Sequence, residues 1–404
     1  MDEANIIDAR FKREASEKTI YKVDLSCRQW KRESLDIIAP YLKSQSKSVR
    51  FVNLADVIAG LMTDEGLGVT QLLAETFESS DLFEIDLSDN AMGPRGLVRS
   101  EAFFANSSLQ NLYLSNCGLS AESMNLLNDY FTRDNERMYK SLKELVLDKN
   151  MIGEAGARTV GEFLPRLENL EYFSFNGCRP NTEGTKFLCD GLMELTVKTN
   201  CVLRRIEMED CTFGSGEEDT DPIISFCSAI AKCSRLQRLN INEGSLEIYG
   251  IKRLVSALKE AKARLTHLSL GGTGEYQAEG AAVLAEYLHD LSSSLIHLNL
   301  DFNELGDDGV AVLVEAFAAS RNVLEVLSLN GNEIESVGAK ALVRTDFPNL
   351  KRLSLDDNMD IAKDHLKSKY GPIAVFGDND DEESEAEPDS DMDTLLLQFA
   401  AAKL

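Results

Sequence analysis

The residues that could do chemistry in this chain are four histidines, eight cysteines and many acidic side chains. His267 and His297 occupy the same place in two neighbouring sequence repeats, so we expect their side chains to lie side by side. Two histidines are short of the ligand number that a zinc site needs, and no cluster at metal-ligand spacing supplies more. The cysteines form no CxxC pair and are expected to be reduced thiols. The sequence therefore predicts neither a metal nor a cofactor.

Catalytic motifs do not accompany these residues. The Walker A, HExxH, GxSxG and GxGxxG patterns are all absent from the sequence. Asp and Glu together number 68 of 404 residues, so neighbouring carboxylates are common here and are poor evidence for acid–base catalysis. We expect a chain that is not itself an enzyme.

The charge balance restricts the partners. Lys and Arg number 42 against 68 Asp and Glu, giving a formal net charge of −26. Phosphate binding needs clustered basic side chains, so the balance argues against nucleic acid and against an anionic membrane surface. No apolar run is long enough for a membrane span, and the acidic start does not resemble a signal peptide. The predicted location is the cytoplasm, with the nuclear periphery or the nucleus as alternatives.

A nine-residue pattern, LxxLxLxxN, recurs along most of the chain. One clean copy is Leu82, Ile85, Leu87 and Asn90; in other copies, such as the one that ends at Cys117, cysteine takes the ninth position. The copies start at residues 20, 49, 82, 109, 142, 170, 203, 236, 265, 295, 324 and 350. Some spacings are lengthened by insertions, among them residues 132–137 and an acidic surface loop over 214–222. Such a period is typical of leucine-rich repeats.

Each repeat combines a short strand with a helix. Leucines at positions 1, 4 and 6 have the period of a strand with one buried face, and the ninth residue can bond backbone groups of the turn. The residues that follow, for example 153–164, place apolar side chains three and four apart, as in a helix. The predicted fold is an α/β leucine-rich-repeat solenoid, a horseshoe like ribonuclease inhibitor with parallel strands on its concave face and helices on its convex face.

Three segments follow from this pattern. We predict an N-terminal segment over residues 1–19, a leucine-rich-repeat domain of about twelve repeats over 20–375, and an acidic tail over 376–404. Residues 378–393 contain ten acids and no base, and are expected to be disordered; the last eleven residues could form a short helix. The terminal Ala402, Lys403 and Leu404 resemble a peroxisomal signal, which leaves the peroxisome as another destination.

Positions 3, 5 and 7 of the repeats should face outward from the concave sheet. Acids predominate at these positions and would attract a basic protein partner, although solubility alone would also explain them. The acids are Asp24, Glu84, Asp86, Glu144, Asp148, Glu207, Glu209, Asp301 and Asp356. The bases are Lys22, Arg205, Arg238 and Arg352.

Three stretches resemble the Ran GTPase-activating proteins, a family of leucine-rich-repeat horseshoes with acidic tails. Residues 86–96 read DLSDNAMGPRG, similar to the family's LSDNAxGxxG, and residues 112–119 read LYLSNCGL, similar to its LYLxNxGL. Residues 54–60, LADVIAG, are similar to the segment before the family's functional arginine. The resemblance covers residues 20–393 in architecture and about 50–120 in motif.

The resemblance implies a function. Members bind the GTP-loaded form of Ran and promote its GTP hydrolysis, in nucleocytoplasmic transport, by ordering Ran's own catalytic machinery without supplying an arginine finger. Asn116 matches the asparagine that lies near the nucleotide and helps order Ran's switch region. The other candidate partner-binding residues are Asp86, Asp89, Arg95 and Lys149. A Ran-binding protein is a further candidate partner.

One position departs from the family pattern. Leu61 stands where the family commonly has arginine, and leucine cannot pair with a carboxylate or phosphate. Arg95, Arg99 or Lys149 could replace the lost contact. The alternative function is a generic leucine-rich-repeat interaction scaffold without GTPase-activating activity.

Overall fold

The computed structural model describes residues 19–104, 108–218, 220–274, 277–291, 293–318, 322–358, 361 and 363–377. The chain forms two compact units, which we call unit 1, described up to Leu170, and unit 2, described from Glu171 to residue 377. The predicted N-terminal segment, except residue 19, and the acidic tail beyond residue 377 lie outside the described residues.

Unit 1 contains short parallel strands that pair in chain order, each with its neighbour in sequence. In its described part the strands are β1 (Lys22–Asp24), β2 (Phe51–Asn53), β3 (Glu84–Asp86), β4 (Asn111–Tyr113) and β5 (Glu144–Val146). The helices are α1 (Arg32–Gln45), α2 (Thr63–Phe77), α3 (Gly93–Arg99), α4 (Glu101–Phe104), α5 (Ala121–Ser141) and α6 (Gly153–Phe163). The predicted insertion at residues 132–137 lengthens α5.

Unit 2 repeats the same arrangement. Its described strands are β6 (Tyr172–Ser174), β7 (Arg205–Glu207), β8 (Arg238–Asn240), β9 (His267–Ser269), β10 (His297–Asn299), β11 (Val326–Ser328), β12 (Arg352–Ser354) and β13 (Ala374–Val375). Its helices are α7 (Asn181–Lys198), α8 (Pro222–Ile230), α9 (Ile248–Ala261), α10 (Gln277–Leu291), α11 (Gly306–Ala318), α12 (Ser336–Arg344) and α13 (Lys363–Tyr370). Helices next to each other in sequence pack together.

The strands fall at fixed positions of the repeat. From β1 to β12, every strand begins two residues after a predicted repeat start and therefore occupies positions 3 to 5. Its middle residue is buried and its flanking residues are mostly half-buried or exposed, for example around Leu112 in β4. The leucines at positions 1, 4 and 6 thus form the core with the buried sides of the helices. This confirms the predicted leucine-rich-repeat fold class, and β13 adds a two-residue strand that the sequence pattern did not predict.

Candidate functional site

The turn that leaves each strand is held by the residue at position 9. Asn150 is buried, and its side-chain oxygen accepts hydrogen bonds from the backbone N–H groups of Cys117 and Leu119 at 2.9 and 3.0 Å. Its amide nitrogen donates to three backbone carbonyl oxygens. Asn90, two repeats earlier, likewise accepts two backbone N–H groups and donates to three backbone carbonyl oxygens. Position 9 is therefore committed to the fold, as predicted.

Position 8 has the opposite character. In unit 1 it is always a residue with positive φ, in the left-handed region, which Asn, Asp and Gly adopt most readily. These residues, which we call the turn row, are Cys27, Asp56, Asp89, Asn116 and Lys149, with φ between 52° and 59°. The sequence pattern places Asn116 one residue before the asparagine position that holds the turn. The structure shows in addition that position 8 is left-handed and that the side chains of Asp89, Asn116 and Lys149 are exposed.

Asn116 is exposed and lies between Asp89 and Lys149 in the turn row. Its side-chain Nδ2 donates a 2.9 Å hydrogen bond to Oδ1 of Asp89, and its backbone N–H donates to the carbonyl oxygen of Asp148 at 2.8 Å. No described residue donates to its side-chain oxygen. Asp89 thus fixes the orientation of the amide and leaves its oxygen turned to solvent as an acceptor.

Two of the other candidate residues flank this amide. Strands β3, β4 and β5 pair in register, so Asp89, Asn116 and Lys149 follow one another at roughly the 4.8 Å spacing of neighbouring strands. Lys149 is exposed, and its ammonium has no partner among the described residues. Asp86 is half-buried on β3 and is partly used by the fold, because its Oδ1 accepts the N–H of Ser88 at 2.9 Å.

Arg95 lies elsewhere. It is carried by α3, and its guanidinium pairs with Asp64 of α2 at 3.2 Å, with both side chains strongly exposed. Arg99 donates to the side-chain oxygen of Gln71, also on α2. Both arginines line a groove of about 460 Å³ between these helices. The structure therefore brings Asp89, Asn116 and Lys149 together in one row and places Arg95 on the helical side.

Leu61 follows β2 and is half-buried just before α2. Its backbone N–H donates to the carbonyl oxygen of Ile58. Its side chain adds no charge to this loop. Of the three basic residues that could replace the family's arginine, only Lys149 belongs to the same row as Asn116.

The strand face of unit 1 contains polar pairs that sequence reasoning missed. Asn111 donates to Glu84 at 3.0 Å, and the hydroxyl of Tyr113 donates to Glu144. Burial, followed by this hydrogen bond, raises the pKa of Tyr113 well above its usual range. The sequence signal that could have predicted these pairs is the alternation of acidic with amide or phenol side chains at the outward strand positions. Two predicted docking carboxylates are thus already bound.

The histidine pair lies in unit 2. The rings of His267 and His297 stack with centroids 5.7 Å apart, as their shared repeat position predicted. Burial and the nearby positive charge of Arg238 lower the pKa of His267 to about 4. Among the described residues, no group of three or more His, Cys, Asp or Glu side chains could hold a metal ion.

A family model described as Leucine Rich repeat matches residues 291–314 and 322–343. This match falls on strands and helices of unit 2 that already show the repeat geometry. The chain therefore has the leucine-rich-repeat fold. Within the described part of this leucine-rich-repeat protein, no helix has the length and apolar character needed to cross a membrane.

Curated relatives of this leucine-rich-repeat protein include two scaffolds of the same repeat class. It is 29% identical to ribonuclease inhibitor of Sus scrofa over 332 residues, which cover 74% of this chain and 68% of that protein. It is 26% identical to human NACHT, LRR and PYD domains-containing protein 3 over 284 residues, or 69% of this chain and 23% of that protein. These relatives support a protein-interaction scaffold and do not distinguish a Ran GTPase activator from other leucine-rich-repeat proteins.

A solved structure supports the fold alone. The chain resembles one from the complex of Rad7 and Elc1 in yeast, with a TM-score of 0.54 and 15% sequence identity. The similarity covers 95% of this chain and 90% of that chain.

Proposed function

We propose that this leucine-rich-repeat protein binds the GTP-loaded form of Ran and promotes its GTP hydrolysis by ordering Ran's own catalytic machinery. One observation supports this proposal above the others. Asn116, which matches the functional asparagine of the family motif, lies exposed in the turn row with its side-chain oxygen available to a docked molecule.

The chemistry requires positioning more than reactive groups. In phosphoryl transfer, most of the catalysis comes from orienting the nucleophilic water and stabilising charge. The hydrogen bond from Asn116 to Asp89 holds the amide in one orientation before any partner arrives. A preformed acceptor loses little conformational freedom on binding, and it could hold a segment of the GTPase near the nucleotide in its active arrangement.

The charges beside Asn116 fit a partner with a mixed surface. Asp86 and Asp89 would attract basic side chains, and Lys149 supplies a free ammonium two strands from Asp86. A charge-assisted hydrogen bond contributes on the order of 1.5–3 kcal/mol, so Lys149 could offset part of the contact that Leu61 cannot make.

The second candidate function is an interaction scaffold without effect on any GTPase. Leu61 favours it, because an uncharged residue replaces the arginine that the family commonly carries at this place. The two candidates differ in nucleotide dependence. A Ran GTPase activator retains Ran loaded with a non-hydrolysable GTP analogue and releases Ran loaded with GDP, whereas the scaffold retains neither.

The deciding experiment is single-turnover hydrolysis of GTP by Ran with and without the full chain. Saturating protein is expected to accelerate hydrolysis by orders of magnitude, because orienting the water and the GTPase's own groups is the main source of catalysis in phosphoryl transfer. No acceleration would overturn the proposal. Selective retention of the GTP form without acceleration would also overturn it and would leave a nucleotide-sensing scaffold.

A further inference from the structure

Two cysteines of neighbouring repeats meet in unit 2. Cys201 follows helix α7 and precedes β7, and Cys233 follows α8 and precedes β8. Their sulfur atoms are 3.1 Å apart although the residues are 32 positions apart in sequence. A disulfide needs about 2.05 Å between the sulfurs, so roughly 1 Å of movement would suffice to form the bond.

The two thiols differ in character. The hydrogen bond shared with Cys233, together with the N–H of Leu203 and the charge of Arg235, lowers the pKa of Cys201 to about 7. The same hydrogen bond, together with burial, raises the pKa of Cys233 far above its usual range. Near neutral pH the thiolate of the pair therefore resides mainly on Cys201, and Cys233 stays a thiol.

The cysteine with the lower pKa, Cys201, is also the less buried of the two. Cys201 is 8% exposed, whereas Cys233 is completely buried. Both cysteines are buried, and a small oxidant that enters here meets the less buried Cys201 first. A cysteine of lowered pKa next to a second cysteine that can resolve it is a common feature of redox-sensitive pairs.

We propose that Cys201 and Cys233 form an oxidisable pair in which Cys201 reacts with hydrogen peroxide and Cys233 resolves the product to an intramolecular disulfide. The Cys201 thiolate attacks one peroxide oxygen, the O–O bond breaks, and the departing hydroxide takes a proton to become water. Cys233 then gives up its proton and attacks the sulfur of the Cys201 sulfenic acid. The S–O bond breaks, a second water leaves and the S–S bond forms, so two thiols lose two electrons and one peroxide gains them.

The chain contains internal controls for this reaction. Burial raises the pKa of the Cys227 thiol to about 12 and that of the Cys117 thiol to about 12. At neutral pH both stay protonated and should react slowly. Cys227 is the matched control because it lies on α8, close in sequence to Cys233, and is only partly buried.

The experiment treats the full chain with a small excess of hydrogen peroxide at pH 7, blocks the remaining thiols by alkylation, and identifies tryptic peptides without reduction. Cleavage at lysine and arginine gives TNCVLR from residues 199–204 and CSR from residues 233–235. We expect these two peptides to be joined, two thiols to be lost per chain, and dithiothreitol to restore both. Loss of thiols without a TNCVLR–CSR product, or equal alkylation rates for Cys201 and Cys227, would overturn the proposal.

Variants separate the two roles. In Cys233→Ser, peroxide should leave Cys201 as a sulfenic acid that a cyclic diketone such as dimedone traps. In Cys201→Ser, Cys233 should resist both oxidation and trapping, while Cys227→Ser should form the disulfide at the rate of the unchanged protein. Oxidation of Cys233 in the absence of Cys201 contradicts the assigned order.

Discussion

Units 1 and 2 use the same repeat and present different chemistry at the same place. At position 3, paired strands of unit 1 align Glu84, Asn111 and Glu144. The corresponding row of unit 2 aligns Arg205 and Arg238, followed by His267 and His297. An acidic chain thus contains one largely acidic row and one row of basic and imidazole side chains. The comparison shows that positions 1, 4, 6 and 9 build the fold, whereas the outward positions differ in charge between the units.

Position 8 shows the same contrast. All position-8 residues of both units are left-handed, but those of unit 2 include three glycines and an exposed phenylalanine. The unit 2 residues are Gly177, Asp210, Glu243, Gly272, Phe302, Gly331 and Asp357. Unit 1 instead has uninterrupted polar side chains from Asp56 to Lys149. Together with the position of Asn116, this difference is why we place the proposed GTPase-binding surface in unit 1.

The largest expected effect concerns the positions that the units share. Asn150→Ala removes five hydrogen bonds and leaves buried backbone groups unpaired, so it should lower the free energy of unfolding by about 2–4 kcal/mol. Asn332→Ala should cost a similar amount in unit 2. Urea unfolding of both variants measures the loss.

Asn150→Cys is the control for that prediction. Cys117 already occupies position 9 in the preceding repeat, where its Sγ donates to the carbonyl oxygen of Leu87 at 3.0 Å. A cysteine keeps a donor but loses the amide acceptor, so Asn150→Cys should fall between the wild type and Asn150→Ala. An Asn150→Ala variant as stable as the wild type contradicts the assigned role of position 9.

The sequence predicted the shared positions better than the variable ones. The leucine spacing determined where strands β1 to β12 begin, because burial of positions 1, 4 and 6 restricts those residues to a few apolar types. Arg95 could not be placed from sequence, since its pairing with Asp64 depends on how α2 and α3 pack. The repeat pattern aligns Glu84, Asn111 and Glu144 at position 3, but it does not reveal which neighbour each outward side chain bonds. The bonds from Asn111 to Glu84 and from Tyr113 to Glu144 therefore could not be predicted.

An effect of intermediate size is the pH dependence of stability that comes from a histidine of unit 2. All four histidines lie in the range of unit 2, and the pKa of His267 is about 4 in the folded chain compared with 6.5 ordinarily. Between these values the unfolded chain binds a proton that the folded chain does not. Stability is therefore complete above pH 6.5 and falls as the pH decreases towards 4, by about 1 kcal/mol once solvent screening of this partly exposed ring is included.

Urea unfolding at pH 7 and pH 4.5 measures this effect. His267→Gln should reduce the difference in unfolding free energy between the two pH values, because glutamine does not titrate. If His267→Gln leaves this difference in unfolding free energy unchanged, the pH dependence of stability does not come from His267.

The smallest expected effect concerns long-range attraction. Asp86→Asn keeps an oxygen that can accept the Ser88 N–H and removes one negative charge from unit 1. Association with Ran should slow by about two- to threefold at low salt and recover at high salt, where charges are screened. Asn240→Asp is the reverse change at the same repeat position in unit 2 and should leave the rate unchanged. Effects of equal size and opposite sign would mean that net charge, rather than the surface of unit 1, steers association.

The most direct test compares two left-handed residues of position 8 in the single-turnover assay with Ran. Asn116→Ala and Asp210→Ala share the same backbone strain, since φ is 52° and 59°, and differ in the unit they alter. We predict that Asn116→Ala slows hydrolysis at saturating protein by about tenfold or more, with a smaller change in affinity for GTP-loaded Ran, while Asp210→Ala matches the wild type. Equal hydrolysis rates for the wild type and both variants would contradict the assignment of Asn116 and of the turn row.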